Sequence, residues 1–452
     1  MRNVPFTVLE EKEGRDRQRF ILWTVEANEI ACDSGYEAKV PLGHISRYLD
    51  AVREECGSTR DFKTGFYAIE IPEDARHLFR FMDSEGDWWE LVRLPMGHTC
   101  APELMDTVAA VAAGHPDYVT REWRVIEGVR VDVWIDNIRY AGPRDLVLRA
   151  TEALDRTARD CVLTWKPSDS VDASTRYEFI GVLWDHGRGM VSVSTKMKRR
   201  LVESRYALSG VVRAHDLGGR LLHASAVAGV FPGRFWFALK FFRRVTNSLN
   251  RGTRATDDVV NVSPCVQTSL CQWIGEVLAP RKILAEVVAP QLTAFVDASL
   301  DGWGGVVVDH ATSEASILGA RWDKGEAGHI NELEAEALYK VVRSLPASVA
   351  DARVNVVVDN TTVKGVARKG ACVRSRRLND AVVGALEILR LRRCTMSMKW
   401  VRSADNPADA PSRVIPAELT RSSVSAISLA VRRFLTRGVV AGSGLHGTCP
   451  DA

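Results

Sequence analysis

The chain has 452 residues, 46% of them hydrophobic and 26% charged, with 33 Gly and 17 Pro, a composition that excludes wholesale disorder, a fibrous repeat and a collagen-like chain. Its 60 Lys and Arg nearly balance 57 Asp and Glu, for a formal net charge of +3, so bulk charge does not establish a polyanionic partner and only its placement can. At roughly 150 residues per domain, the length predicts an α/β protein of two to four domains.

Nine scattered Cys, with neither Cys-x-x-Cys nor a Cys/His zinc spacing, point to a reducing, intracellular compartment, cytoplasmic or nuclear. Met1-Arg2-Asn3-Val4-Pro5 is no charged-then-apolar leader, and Pro232, Arg234 and Lys240 interrupt the apolar stretch 224–242. No signal peptide, transmembrane span or membrane partner is expected.

Residues 17–30 and 62–72 alternate apolar and polar positions and read as strands, while 45–55 and 103–113 carry apolar residues at helical spacing. A strand over 129–140, a helix over 146–159 and a strand over 176–184 follow, closing a first mixed domain near residue 190. From 196 to about 290 the pattern is mostly helical and basic, broken at Gly218-Gly219 and Pro232-Gly233, and reads as an intermediate module plus a tether. From Leu292 the order is strand, Gly-rich turn, strand, helix over 332–342, strand over Arg353–Val358, then helices, ending near 414; the tail carries one candidate amphipathic helix over 424–435. Basic residues cluster at 196–205, 240–251, 368–377 and 390–393, the second cluster beside Phe241 and Phe242. A phosphate-tracking surface needs such clusters, although a solvated helix face explains any single one equally well.

Two constellations carry chemistry. Asp61 opens Asp61-Phe62-Lys63-Thr64-Gly65-Phe66-Tyr67-Ala68-Ile69, and Asp136 lies in Val133-Trp134-Ile135-Asp136-Asn137. Two acids on neighbouring strand ends suit a pair of divalent ions that stabilise both the attacking and the leaving oxygen of nucleotidyl transfer. Further on, Asp297 sits in Phe295-Val296-Asp297-Ala298-Ser299 before Gly302-Trp303-Gly304-Gly305. Glu334 lies on a helix with an apolar face of Leu333, Ala337, Leu338 and Val341; Asp359 ends an apolar strand; and Asp409 closes Asn406-Pro407-Ala408-Asp409. Four acids brought together repel one another unless divalent cations neutralise them, which fits two-metal phosphodiester hydrolysis. Glu332 and Glu336 compete with Glu334 for the helix position.

In order and spacing these segments resemble retroelement reverse transcriptases joined to a ribonuclease H, of the LTR and DIRS-like kind and the VIPER-like kinetoplastid arrangement in particular. Asp61 to Ile69 resembles the first palm motif, Leu94-Pro95-Met96-Gly97-His98-Thr99-Cys100-Ala101-Pro102 the Leu-Pro-x-Gly loop and the helix after it, and Trp134 to Asn137 the Tyr-x-Asp-Asp turn. Lys166 matches the lysine of the fourth palm motif and Phe179-Ile180-Gly181 the primer-grip hairpin. Asp297 with its Gly-rich turn, Ile330-Asn331-x-x-Glu334-x-x-Ala337, Val358-Asp359-Asn360 and Asn406-Pro407-Ala408-Asp409-x-x-Ser412-Arg413 follow the ribonuclease H motifs, and their register selects Glu334. The resemblance runs from about Arg17 to Arg413, with 190–290 matched by position alone.

It implies a right-hand palm and fingers polymerase fold over 1–190, a helical thumb, connection and tether over 191–290, a ribonuclease H-like α/β domain over 291–414 and a tail over 415–452. The implied function is RNA-directed DNA polymerisation coupled to degradation of RNA in the RNA–DNA hybrid. RNA template, DNA primer and deoxynucleoside triphosphates are the implied partners, with two Mg2+ or Mn2+ ions at each site. Asp61 and Asp136 would ligate one pair of ions, and Asp297, Glu334, Asp359 and Asp409 the other. Phe66 would lie under the incoming sugar, Met96 and Gly97 beside the nucleotide or template, and Arg19 against the triphosphate. Asn137 departs from the family's second aspartate, and an amide supplies no anionic field to a metal. It motivates an alternative: a decayed or domesticated nucleic-acid-binding protein with nuclease but little or no polymerase activity. Two further departures are the polar Gly57-Ser58-Thr59-Arg60 before Asp61, where an apolar strand is expected, and the absence of histidine between Trp400 and Asp409.

Overall fold

The computed structural model describes residues 3–12, 15–40, 42–204, 210–253, 258–283, 289–323, 325–326 and 328–440, with the side chains of 6, 8–12, 15–19 and 437–440 outside that description. It is a mixed α/β protein with several sheets. It divides into two units, 1–200 with 226–228 and 277–284, and 201–225 with 229–276 and 285–452. Among the described residues no helix is long and apolar enough to cross a membrane.

In the first unit β1 (Val4–Lys12) and β2 (Arg15–Trp23) form an antiparallel hairpin. The strand expected over 17–30 stops at Trp23, because Ala27, Ile30 and Ala31 follow helical spacing and build α1 (Val25–Asp33). Residues 45–55 form two short 3-10 turns rather than one α-helix. β3 (Cys56–Asp61) leads through a left-handed Thr64 into the four-residue α2 (Gly65–Ala68), so no long strand occupies 62–72. The hairpin β4 (Arg80–Met82) and β5 (Trp88–Glu90) precedes α3 (Ala101–Ala112). The stretches expected as single strands over 129–140 and 176–184 are each a tight hairpin: β6 (Arg130–Trp134) with β7 (Asn137–Gly142), and, after α4 (Arg144–Asp160) and β8 (Val171–Ser174), β9 (Arg176–Phe179) with β10 (Val182–Asp185). Left-handed residues make both turns, Ile135 at φ 56° and Ile180 at φ 45°. β11 (Met190–Val193), α5 (Thr195–Glu203, up to residue 200 in this unit) and β12 (Arg281–Lys282) complete the set.

The first unit's main sheet runs β6-β7-β3-β8, all antiparallel, and a second runs β12-β11-β10-β9. Met105 and Ala109 of α3, with Val147, Ala150 and Leu154 of α4, pack against Phe62, Ile138 and Tyr140. The polar character of β3 now has a cause. Arg60, 7% exposed, pairs with Asp155 and Asp172 at 2.8 Å each, Ser58 Oγ accepts from the Ala173 amide, and Gly57 leaves room for Tyr177, whose hydroxyl would lie 2.3 Å from a Cβ there. A buried strand tolerates such residues only when each polar group finds a partner, as these do.

The second unit begins with a helical module of α6 (Val211–Ala228, up to residue 225 in this unit), α7 (Trp236–Asn250) and α8 (Pro264–Val277, up to 276). Trp273 is its centre: fully buried, stacked on Phe235 at 5.4 Å and donating to Ser225 Oγ at 2.7 Å. Then follow β13 (Leu292–Ala298), β14 (Gly302–Asp309), β15 (Ala315–Arg321), α9 (Ile330–Arg343), β16 (Arg353–Val358), α10 (Thr361–Lys369), α11 (Arg376–Leu391), β17 (Thr395–Trp400), α12 (Asp409–Arg413) and α13 (Arg421–Val440).

The sheet order is β15-β14-β13-β16-β17, antiparallel among the first three strands and parallel from β13 to β17. Parallel neighbours need a crossover, which α9 provides between β13 and β16. α9, α10 and α11 cover one face. Ile427, Val431 and Phe434 of α13 cover the other, Phe434 edge-on to Phe295 at 5.0 Å, so the segment read as a tail helix is part of this unit's core.

The glycines of Gly302-Trp303-Gly304-Gly305 lie within β14 rather than in a turn; the connection is made by Ser299, whose hydroxyl accepts from the Asp301 and Gly302 amides. Their role is close approach. A Cβ on Gly304 would sit 2.4 Å from the Ser412 amide nitrogen and 2.6 Å from the Ala408 carbonyl, and one on Gly305 would meet Val341 at 2.5 Å. Gly304→Ala is therefore expected to push α12 away from the sheet and to cost about 1–3 kcal/mol, read as a lower urea midpoint for the second unit's unfolding.

Candidate active sites

In the second unit, three elements deliver acids to one point. Asp297 rides on β13, which is buried on both faces; Glu334 lies one turn into α9, whose apolar side holds Leu333, Ala337, Leu338 and Val341 in the core; Asp359 follows the last residue of β16. One carboxylate oxygen from each lies within 4.8 Å of the others. Asp297 and Glu334 are 3% and 6% exposed, and Glu334 Oε2 and Asp359 Oδ1 are buried without a hydrogen-bond partner.

Several contacts hold this cluster. Ser412 Oγ donates to Asp297 Oδ2 at 2.6 Å, Asn406 Nδ2 donates to the Val296 carbonyl at 2.9 Å, and Trp400 Nε1 donates to the Asp359 carbonyl at 2.8 Å. Asp409, at the start of α12, is held outside the three-acid group by Arg413 at 2.8 Å, but its charge still reaches Asp297. Burial, then the charges of Asp359 and Asp409, pushes Asp297 up to about 7 against the opposing Ser412 hydrogen bond. Burial, with Asp297 and Asp359 close by, pushes Glu334 up to about 9. Glu332 and Glu336 are engaged elsewhere, with Ser375 at 2.6 Å and Arg377 at 3.5 Å.

These donors fit a hard divalent cation: the ligand set is all carboxylate oxygen, and two buried oxygens are left without a partner.

In the first unit, β3 pairs with β7 so that Asp61 faces Asn137, and the Phe62 amide donates to the Asp136 carbonyl at 3.1 Å. This brings Asp61, Asp136, Asn137 and Lys166 together. Lys166 Nζ contacts Asp61 Oδ1 at 2.6 Å, and Asn137 Nδ2 donates to Asp136 Oδ1 at 3.0 Å. Burial pushes the Asp61 carboxyl up while Lys166 pulls it down. Here the fit to a cation is poorer, because each acid already has a donor and position 137 offers an amide.

The remaining candidates are held by different anchors. Phe66 on α2 packs half-buried onto the core that includes Phe62. Met96 and Gly97 belong to a loop clamped by Asn28, whose amide donates to the Gly97 carbonyl at 3.0 Å while its oxygen accepts from the Thr99 amide at 2.8 Å. Gly97, at φ 108°, passes the Leu22 carbonyl so closely that a Cβ would lie 3.0 Å from it. Arg19 falls in β2 and its side chain lies outside the described residues.

Two residues escaped the sequence reading of roles. Asp106 on α3, 4% exposed, accepts from the Ile135 amide at 3.0 Å and so holds the left-handed residue directly before Asp136. An acid on the inner face of a helix was the available signal. Ser412 was seen only as part of a motif, and its bond to Asp297 depends on the fold.

No family model and no curated protein matches this sequence. Among solved structures it is similar to the foamy viral protease-reverse transcriptase, in a form designated dRH with double-stranded DNA (TM-score 0.49, 13% identity, 88% of this chain and 65% of that one). The same viral protein with an RNA/DNA hybrid gives TM-score 0.49 and 13% identity over 89% and 50% of the chains, and with double-stranded DNA TM-score 0.48 and 14% identity over 88% and 78%. The chain thus spans about two thirds and one half of the first two. The site assignments rest on the geometry above.

The raised carboxyls give a pH signature. In the folded chain Asp297 and Glu334 keep protons up to about 7 and about 9, whereas the unfolded chain releases them near its ordinary values of 3.8 and 4.5. The folded state therefore binds more protons between these limits, and without divalent cation its stability falls as pH rises through that window. In chelator, raising the pH from about 5 to about 8 should lower the melting temperature of the wild type more than that of Glu334→Gln, and Mg2+ should shrink the difference.

Proposed function

We propose that the second unit hydrolyses the RNA strand of RNA–DNA hybrids, with Asp297, Glu334, Asp359 and Asp409 holding two Mg2+ or Mn2+ ions. The observation that carries this reading is the meeting of three carboxylates, those of buried Asp297 and Glu334 and half-buried Asp359, with two partnerless oxygens among them. When bound, such ions supply charge stabilisation to the attacking water and to the leaving oxygen. The chain's own part is positioning and proton balance. Ser412 and Asn406 orient Asp297, Trp400 fixes the backbone at Asp359, and Glu334, its carboxyl pushed up by burial and by Asp297 and Asp359, would hold a cation as the carboxylate. Arg413 keeps Asp409 at the rim, where it can turn toward the cluster.

The first unit is proposed to be an RNA-directed DNA polymerase of the palm-and-fingers type, joined through the helical segment to the nuclease and copying retroelement RNA from a DNA primer with deoxynucleoside triphosphates. Support comes from the adjacency of Asp61 and Asp136 across paired strands, with Lys166 beside them. The DIRS-like and VIPER-like assignment belongs to this proposal and rests on motif order. Binding of nucleic acid without polymerisation is the alternative that Asn137 favours, since its amide hydrogen-bonds Asp136 where a third carboxylate would add charge.

Glu334→Gln should lower hydrolysis of a labelled hybrid by about 100-fold or more while leaving the circular dichroism spectrum unchanged; wild-type turnover in that variant removes the nuclease assignment. For the first unit, Asp136→Asn should abolish primer extension, and Asn137→Asp should lower the Mg2+ concentration needed for half-maximal extension. No extension by wild type with Mg2+ or Mn2+, and none by Asn137→Asp, would leave the first unit as a binding module.

A further inference from the structure

Of the four acids assigned to the second unit's site, Asp297, Glu334 and Asp359 lie within 4.8 Å of one another, and Asp409 stands outside them in an ion pair. Arg413 grips it with a fork. Its Nη2 donates to Asp409 Oδ1 at 2.8 Å, and its Nε lies 3.2 Å from each carboxylate oxygen. Among the described residues Asp409 alone of the four is paired with a cation, whereas Glu334 Oε2 and Asp359 Oδ1 are buried with no partner at all.

The backbone on both sides of Asp409 is bonded to the sheet. Before it, Asn406 Nδ2 donates to the Val296 carbonyl at 2.9 Å and Asn406 Oδ1 accepts from the Ala408 amide at 3.2 Å. After it, Ser299 Oγ donates to the Ser412 carbonyl at 2.7 Å. Ala408, Pro411 and Ser412 are buried, and Gly304 admits the Ser412 amide and the Ala408 carbonyl at distances that a side chain would forbid. The movable part is the Asp409 side chain itself, 35% exposed against 62% for Arg413. Rotation about its side-chain bonds, with the backbone in place, is the movement open to its carboxylate.

We propose that Arg413 is an internal counter-ion that sets the site's affinity for a second divalent ion. With Arg413 on Asp409 the chain is a one-ion site built from Asp297, Glu334 and Asp359, and Asp409 joins a second ion only in exchange for the guanidinium. Arg413 is thus a positioning residue that acts through Asp409. A guanidinium keeps its charge at any working pH, so it leaves by exchange and never by losing a proton. An exposed ion pair of forked geometry shifts such an exchange by up to about fivefold. The pairing also spares the empty site a further free charge: after burial and Asp359, Asp409 adds to the upward push on Asp297. This inference deepens the nuclease reading and rests on it for the role of the four acids.

The test is calorimetric titration of Mn2+ alone into the full chain, in an Asp61→Asn, Asp136→Asn background that silences the first unit's acids. With Arg at 413 the titration should show a tighter and a weaker event. Arg413→Gln should tighten the weaker event about fivefold and leave the tighter one within about twofold. Arg413→Lys keeps the charge but loses the fork, and should fall between the two. Arg402→Gln, which removes an exposed cation from the loop before α12, should change neither event. Asp409→Asn should abolish the weaker event and make binding indifferent to residue 413, a coupling that a merely structural role would not produce. Melting curves identify a variant that fails to fold, and the Lys variant then carries the comparison. A weaker event unmoved by Arg413→Gln overturns the counter-ion role, as does one that survives Asp409→Asn, or a single event with either residue at 413. Hybrid cleavage is measured separately: a Mn2+ shift that depends on Asp409, in a chain that cuts no hybrid, sinks the nuclease reading and leaves the counter-ion in place.

Discussion

Three carboxylates within 4.8 Å of one another, two of them on buried residues, repel one another unless a cation joins them, and much of the second unit follows from that constraint. The acids must come from different elements to converge, so a strand, a helix and a strand end each contribute one. The elements must also be locked, because like charges push apart whatever can move. β13 supplies that rigidity by being buried on both faces, between α9–α11 on one side and α13 on the other. Gly304 lets the backbone of α12, and Gly305 the Val341 side chain of α9, come close to the sheet, and the first of these brings Ser412 to Asp297.

The first unit handles buried charge in the opposite way. Arg60 is closed off by Asp155 and Asp172, Arg139 by Asp132 with its guanidinium 4.1 Å over Trp184, and Asp61 by Lys166. Ion pairs of this kind contribute little net stability but impose register, since breaking one strands its partner in a poor solvent. They hold β3 against β7 and place Asp61 beside Asp136. The difference between the units is chemical: the second leaves Glu334 Oε2 and Asp359 Oδ1 without partners, whereas in the first Asp61, Asp132, Asp136 and Asp155 each accept from a nearby side chain.

The helical module in the middle of the chain, expected from the sequence as a separate connector, is part of the second unit. Its core centres on Trp273, and Gly233 and Trp236 are hydrogen-bonded to Gly370, Asn379 and Cys372 of the α10–α11 region. Backbone contacts of this sort leave few alternatives for how the two pieces meet within the unit. At that junction Lys240 lies 4.3 Å over the Trp236 ring and Arg376 5.0 Å over Phe237.

The sequence by itself determined the periodic parts. An apolar run before Asp359, an apolar face around Glu334 and glycines after Asp297 specify strands and a helix through local spacing, and the six acids proposed as metal ligands could be named from their contexts. It misjudged short segments, where a few residues of alternation fit strand or turn equally: 62–72 became a helical turn, and 129–140 and 176–184 became hairpins around left-handed isoleucines. Only the tertiary structure decided the pairings between distant residues. Ser412 on Asp297, Lys166 on Asp61, Asp106 beneath Ile135, and the meeting of residues 236–253 with 361–379 depend on which surfaces pack together. That choice is made by burial summed over the whole unit and leaves no periodic trace in the local sequence.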